Sequence, residues 1–325
     1  MSEGPGRALG AAGGAVRLGR TGIRTSAAGL GCGGHSRLGQ SYGVSEADSV
    51  ALVRRALDLG VSFIDTAFAY RTEGIVGQAI AGRRDEAVIS TKAHPRGADG
   101  APATGADLTR YLEGSLRRLR TDHVDVYNLH GVSLEEYPHC VDELLPAMMR
   151  LREEGKIRWL GITERFGADP QHRMLERAVA DGHFDVIMVG YNLLNPSARE
   201  RVLAPAIERD IGTLIMFAVR RALSRPDELR RVVADLVARD SIDPTLLCSD
   251  DPLAFLVEEG GASSVMDAAY RYCRHTDGAH VILTGTGSVA HLEENVRSIG
   301  APPLPPAALE RLDRAFGKID FLSGN

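Results

Sequence analysis

VSFIDTAFAYRTEGIVGQAIAGRRDEAVISTK, residues 61–92, holds two short apolar runs, VSFID at 61–65 and AVISTK at 87–92, separated by a stretch long enough for a helix. Short β-branched runs alternating with longer amphipathic stretches are the pattern of a parallel sheet covered by helices. The alternation extends in both directions. AAGLGCG (27–33) precedes it, and VDVYNLH (124–130), IRWLGIT (157–163), FDVIMVGY (184–191), GTLIMFA (212–218) and HVILTG (280–285) follow. Eight strands, most of them followed by a helix, are the number needed to close a (β/α)8 TIM barrel. Residues 45–59 carry the helical signals clearly, with Ser45 and Asp48 as a capping box, Val50, Leu52, Val53, Ala56 and Leu57 at helical spacing, and Gly60 at C′. Asp169-Pro170 reads as a cap and first helical turn.

Outside the eight units, VRLGRTGIRTS (16–26) reads as an N-terminal β-hairpin that plugs the barrel bottom, and residues 225–278 as an elaborated loop region after the seventh strand. Residues 1–15 are expected to be a mobile N-terminal tail and residues 16–325 a single barrel domain. With Lys+Arg 38 against Asp+Glu 43, the net charge is -5 and the basic residues are scattered, so no nucleic-acid partner is expected. No apolar run approaches the roughly eighteen residues of a spanning helix, so no membrane partner is expected either. Cys32, Cys140, Cys248 and Cys273 are too far apart for a CxxC or zinc pattern, which points to reduced thiols, no metal and a cytoplasmic protein. The oligomeric state is open.

Gly29-Leu30-Gly31-Cys32-Gly33-Gly34 matches the dinucleotide fingerprint GxGxxG. That motif needs a helix to begin at its glycines, so that the helix N-terminus meets the pyrophosphate. Here HSRLGQSYGVS intervenes, and Asp65 lies 31 residues beyond Gly34 where about 20 are expected. The match is a decoy. A better constellation stands at the ends of three successive strands: Asp65 after the second, with Tyr70 five residues on, Lys92 after the third and His130 after the fourth. Singly, each has a structural use: a cap, a packing ring, a snorkelling ammonium, a satisfied core histidine. Jointly they converge on one rim, because neighbouring strands lie about 5 Å apart and barrel enzymes keep their chemistry at that end.

These residues also resemble a known family. FIDTAFAY (63–70), STKAH (90–94) and VYNLHG (126–131) are similar to the aldo-keto reductases, whose tetrad is Asp, Tyr, Lys and His. The likeness runs from about Val16 to Ile299 and includes RLGRTGIRTSAAGLGCGG (17–34), Glu73-xxx-Gly77, GKIRWLGIT (155–163) and LTGTGSVAHLEENV (283–296). It implies an NAD(P)H-dependent reductase of an aldehyde, ketone or sugar carbonyl, with Tyr70 as proton donor and without metal. In that reading Lys92 lowers the phenol's pKa, Asp65 keeps Lys92 charged, and His130 orients the substrate oxygen.

Gly285, Thr286, Gly287 and Ser288 open a helix after the eighth strand, where barrels commonly hold phosphate. By resemblance His291, Glu294 and Asn295 face the adenosine end, Phe217 beside Ala218 stacks on the nicotinamide, and Arg220 reaches the pyrophosphate. The resemblance favours NADP(H), but the family often has a basic residue at the position of His291 to pair with the 2′-phosphate, and a neutral His is a poor substitute, which leaves NAD(H) open. Thr163 and Glu164 stand where Ser-Asn is common, and Met188 where Gln is frequent; both depart from the pattern around the carboxamide. His35, Phe68 and His94 are expected to wall the pocket for a small-molecule carbonyl substrate, and His35 with Arg37 would favour a polar or anionic one. Two other readings remain at this point: a nucleotide-binding regulatory protein of the same fold with slow or no turnover, like the potassium-channel β-subunits, and a Schiff-base aldolase using Lys92.

Overall fold

The alternating strand and helix signals resolve into eight parallel strands that close on themselves. The structure is a computed structural model that describes residues 12–97 and 99–324. Two short antiparallel strands, β1 (Ala15–Arg17) and β2 (Arg24–Ser26), precede the barrel. The barrel strands are β3 (Ala28–Gly31), β4 (Phe63–Asp65), β5 (Val88–Ala93), β6 (Val124–Val132), β7 (Ile157–Glu164), β8 (Val186–Gly190), β9 (Gly212–Met216) and β10 (Val281–Thr284). They pair in chain order, with β10 returning to β3. This is the expected (β/α)8 architecture.

The hairpin does close the bottom. Leu18 and Ile23 are buried against Phe63, Val126, Val186, Met188, Leu214 and Val281, which fill the barrel interior. A second, larger apolar layer lies between the strands and the surrounding helices. Helix Glu46–Asp58 is capped by Ser45, whose side chain accepts from Asp48 N, and Gly60 follows the C-cap with φ +86°; the expected capping box is only half formed, since the Asp48 carboxylate accepts from Ser45 Oγ at 2.6 Å rather than from the Ser45 backbone. The region after β9 holds helices Pro226–Ala238, Phe255–Glu258 and Val265–Arg274.

Two expectations need correction. Of the tail placed at residues 1–15, residues 1–11 lie outside the described residues, but residues 12–15 belong to the fold. Ala12 is buried, its carbonyl accepts from Ala28 N at 3.1 Å, and Ala15 already pairs with Ser26. Asp169-Pro170 is not a cap and first turn. The helix starts at Arg173, after His172 in a left-handed conformation (φ +62°), and the Asp169 carboxylate reaches forward to accept from Met174 N at 3.0 Å. The four cysteines are free thiols.

Candidate active site

Register places the first half of the cluster. Asp65 on β4 stands opposite Ser90 on β5, and Lys92 lies two residues beyond Ser90, hence on the same face. Ser90 Oγ donates to Asp65 Oδ1 at 2.8 Å, and Lys92 Nζ donates to Asp65 Oδ2 at 2.6 Å and to the Thr66 carbonyl at 2.8 Å. Asn128 on β6 donates to Ser90 Oγ at 3.0 Å and completes the row. Lys92 has no solvent exposure. Burial works against its charge, but the Asp65 carboxylate and Tyr70 outweigh that and hold the ammonium above its ordinary pKa.

Tyr70 comes from the turn Phe68–Tyr70, which ends at Arg71 with φ +59°. Its ring lies beside Gly33, where a Cβ would stand within 2.6 Å of the Tyr70 Cζ; the decoy glycine is needed for this close approach. Lys92 Nζ is 4.8 Å from the Tyr70 ring centroid, and the hydroxyl is 3.3 Å from His130 Nε2. His130 sits where the β6–β7 register shifts between Leu129 and Val132, an irregularity of the kind that re-aims side chains at active sites. Burial, Lys92 and His94 together hold His130 well below the ordinary imidazole pKa, so the ring is neutral at pH 7. Tyr70 corrects the sequence reading: Lys92 pulls its phenol down as expected, but burial outweighs the ammonium and the net direction is upward.

The residues expected at a cofactor are distributed unevenly. Gly285–Ser288 follows β10 and opens helix Val289–Ile299, with the Ser288 side chain accepting from His291 N and Thr286 Oγ1 from Ser288 N at 3.0 Å. Gly287 is packed against the β3 loop, where a Cβ would stand 2.7 Å from Gly39 N. His291 and Glu294 are exposed on that helix, whereas Asn295 is committed inside the protein, its Nδ2 donating to Thr284 Oγ1 at 2.7 Å. A Gly-rich turn with a helix N-terminus beyond it fits a phosphate.

The other end is occupied by a stack of planar groups. The Arg220 guanidinium lies 3.9 Å from the Phe217 centroid, Phe217 is 6.0 Å from Phe166, and Phe166 is 5.4 Å from His172. His172 Nδ1 meets Glu164 Oε2 at 2.9 Å, and Glu164 Oε1 accepts from Gly190 N at 2.7 Å. Glu164 is therefore tied into the fold rather than standing free as an Asn would. Thr163 Oγ1 accepts from Gly131 N at 2.7 Å, Met188 belongs to the barrel interior, and Ala218 is buried. Phe217 itself is held at φ +68°, an uncommon backbone for a bulky residue.

Of the expected substrate wall, His94 stacks on His130 at 4.7 Å and so touches the cluster. His35 is exposed beside Tyr42 at 6.3 Å. Phe68 stacks on Tyr111 at 6.4 Å with Arg118 over it at 4.9 Å, both on the outer helix Gly105–Leu119. Arg37 bonds protein rather than pointing freely outward: its Nε donates to the Tyr70 carbonyl at 2.9 Å. Sequence reasoning missed Ser90, which strand periodicity two residues before Lys92 would have flagged. It also missed Phe166 and His172, for which no local signal exists.

A closed parallel barrel whose ionisable groups gather at the C-terminal ends of β4–β6 defines an α/β barrel of the enzyme type. The sequence model of the Aldo/keto reductase family matches residues 30–316, and the chain belongs to that family. Aldo-keto reductase YhdN of Bacillus subtilis is 31% identical over 295 residues, covering 84% of this chain and 85% of that one. L-galactose dehydrogenase of Arabidopsis thaliana is 28% identical over 293 residues, covering 87% and 86%. A crystal structure of an aldo-keto reductase from Klebsiella pneumoniae in complex with NADPH superposes with a TM-score of 0.67 at 26% identity, covering 93% of this chain and 94% of that one.

Proposed function

We propose that this protein reduces the carbonyl of an aldehyde, ketone or sugar to the alcohol, using NADP(H) in preference to NAD(H), with Tyr70 as proton donor. The observation that carries the reading is the Tyr70 hydroxyl set 3.3 Å from His130 Nε2, with the Asp65–Lys92 pair at 2.6 Å beneath its ring. The NADPH bound by the Klebsiella neighbour supports the cofactor class. The Gly285–Ser288 turn and Arg220 would hold the phosphates, and Phe217 would back the nicotinamide once Arg220 yields its face. When bound, the reduced nicotinamide supplies the hydride.

The chain's own residues supply the rest. As negative charge develops on the substrate oxygen, the neutral His130 ring and the Tyr70 hydroxyl stabilise it, and Tyr70 hands over its proton. Lys92 favours the tyrosinate left behind, and Asp65 keeps Lys92 charged throughout. The same pairing weighs against a Schiff-base lysine, which needs a neutral amine. A spectrophotometric panel of aldehydes, ketones and sugars with NADPH and NADH tests the proposal. Turnover that is faster with NADPH supports it. Tight nucleotide retention with no turnover on the whole panel points instead to a regulatory nucleotide binder.

A further inference from the structure

Two left-handed, non-glycine residues in the loop after β3, Arg37 (φ +47°) and Leu38 (φ +58°), face a third, Arg71 (φ +59°), which follows Tyr70 directly. Such backbone persists only where surrounding contacts impose it. The contacts are specific. Within the span 33–43, Gly33 lies flat against the Tyr70 ring, Arg37 N donates to the Gly33 carbonyl at 3.2 Å, and Arg37 Nε donates to the Tyr70 carbonyl at 2.9 Å. Leu38 is fully buried and its carbonyl accepts from Ser49 Oγ at 2.8 Å, which anchors the loop to helix Glu46–Asp58. One residue on, the Gly39 backbone packs against Gly287 of the turn that opens the β10 helix. A single loop thus touches the phosphate-type turn at one point and both the ring and the carbonyl of Tyr70 at another.

We propose that Arg37 is a positioning residue for Tyr70, and that loop 33–43 is the strut through which nucleotide bound at Gly285–Ser288 fixes the tyrosine for proton transfer. The inference rests on the function proposed above. Arg37 touches no reacting atom in this scheme. It holds the backbone of the turn that carries the phenol, while Gly33 leaves room for the ring.

The test compares Arg37→Ala and Arg37→Lys with the wild type, using NADP(H) and a carbonyl substrate accepted in the panel. Arg37→Ala is expected to lower kcat by about tenfold or more, within the range a misplaced general acid costs, with NADPH affinity and carbonyl KM nearly unchanged. Arg37→Lys, which still donates to the carbonyl, is expected to recover most of the loss. A second readout does not need turnover: ultraviolet titration of each protein against its Tyr70→Phe counterpart isolates the Tyr70 phenol. Tyr70 faces Lys92 and His130, with Asp65 and Cys32 nearby, all unchanged in the variants. Burial holds the wild-type phenol above its ordinary value, so release of the turn in Arg37→Ala should lower the titration midpoint, and bound NADP+ should no longer affect it. Wild-type kcat together with a wild-type Tyr70 titration in Arg37→Ala would overturn the proposal. If the wild type turned over no carbonyl, the functional reading would fail while the titration still decided the role of Arg37. A variant too unstable to titrate is replaced by Arg37→Lys, for which a kcat as low as that of Tyr70→Phe counts against positioning through the carbonyl bond.

Discussion

Lys92 Nζ and Asp65 Oδ2 are 2.6 Å apart with essentially no solvent access to either side chain. Removing one member of such a pair leaves an uncompensated buried charge. Lys92→Met should destabilise the fold by about 3–5 kcal/mol, whereas Asp65→Asn/Lys92→Met together should recover much of that stability without recovering activity. Denaturant unfolding of the three proteins measures this. Equal stabilities for the single Lys92→Met and the double variant would contradict a charged pair.

Gly33 carries no positive φ, so its role is spatial and not conformational. Gly33→Ala should fold with near wild-type stability yet displace the Tyr70 ring, lowering kcat by about tenfold or more with nucleotide affinity kept. A crystal structure or the kcat and NADPH affinity of the variant decides it.

His130 is held well below its ordinary pKa. Between that depressed value and the unfolded value of about 6.5, the unfolded chain binds the extra proton and the folded protein does not. Stability from this site is therefore fully present above about pH 6.5 and is lost as pH falls, by at most about 1.4 kcal/mol per pH unit. His130→Gln should flatten the fall in Tm between pH 7 and 5 relative to wild type, by about one proton's worth. An unchanged slope would mean that His130 titrates normally.

Glu164 is satisfied by Gly190 N and His172. Glu164→Ala should cost about 1–3 kcal/mol through the buried groups left unpaired, while NADPH affinity changes little. Calorimetry for stability and for binding separates the two effects; a large loss of affinity at unchanged Tm would instead make Glu164 a cofactor ligand.

Much of this site was legible because strand ends in a parallel barrel converge on one rim. Asp65, Lys92 and His130 each end a recognisable apolar run, and their order along the chain is their order around the barrel. What escaped the sequence depended on side-chain direction and on irregular loops. Nothing local announces that His172 folds back onto Glu164, that Asn295 is committed to Thr284, or that Phe68 turns to Tyr111 on an outer helix. The sign of the Tyr70 shift also eluded it, since an adjacent lysine is visible in a sequence and the depth of burial is not. The GxGxxG match could be set aside from the sequence because no helix begins at its glycines, but the use of Gly33, which leaves room for the Tyr70 ring, could not be read there.

Proton donation by Tyr70 stands or falls with the Tyr70→Phe variant. The variant removes one oxygen from a ring packed on Gly33 and leaves the Gly285–Ser288 turn untouched. Measured with saturating NADPH and the best carbonyl substrate of the panel, kcat should fall by about 10²–10⁴-fold while NADPH binding stays at its wild-type affinity. A Tyr70→Phe protein that kept wild-type kcat would show that another group donates the proton.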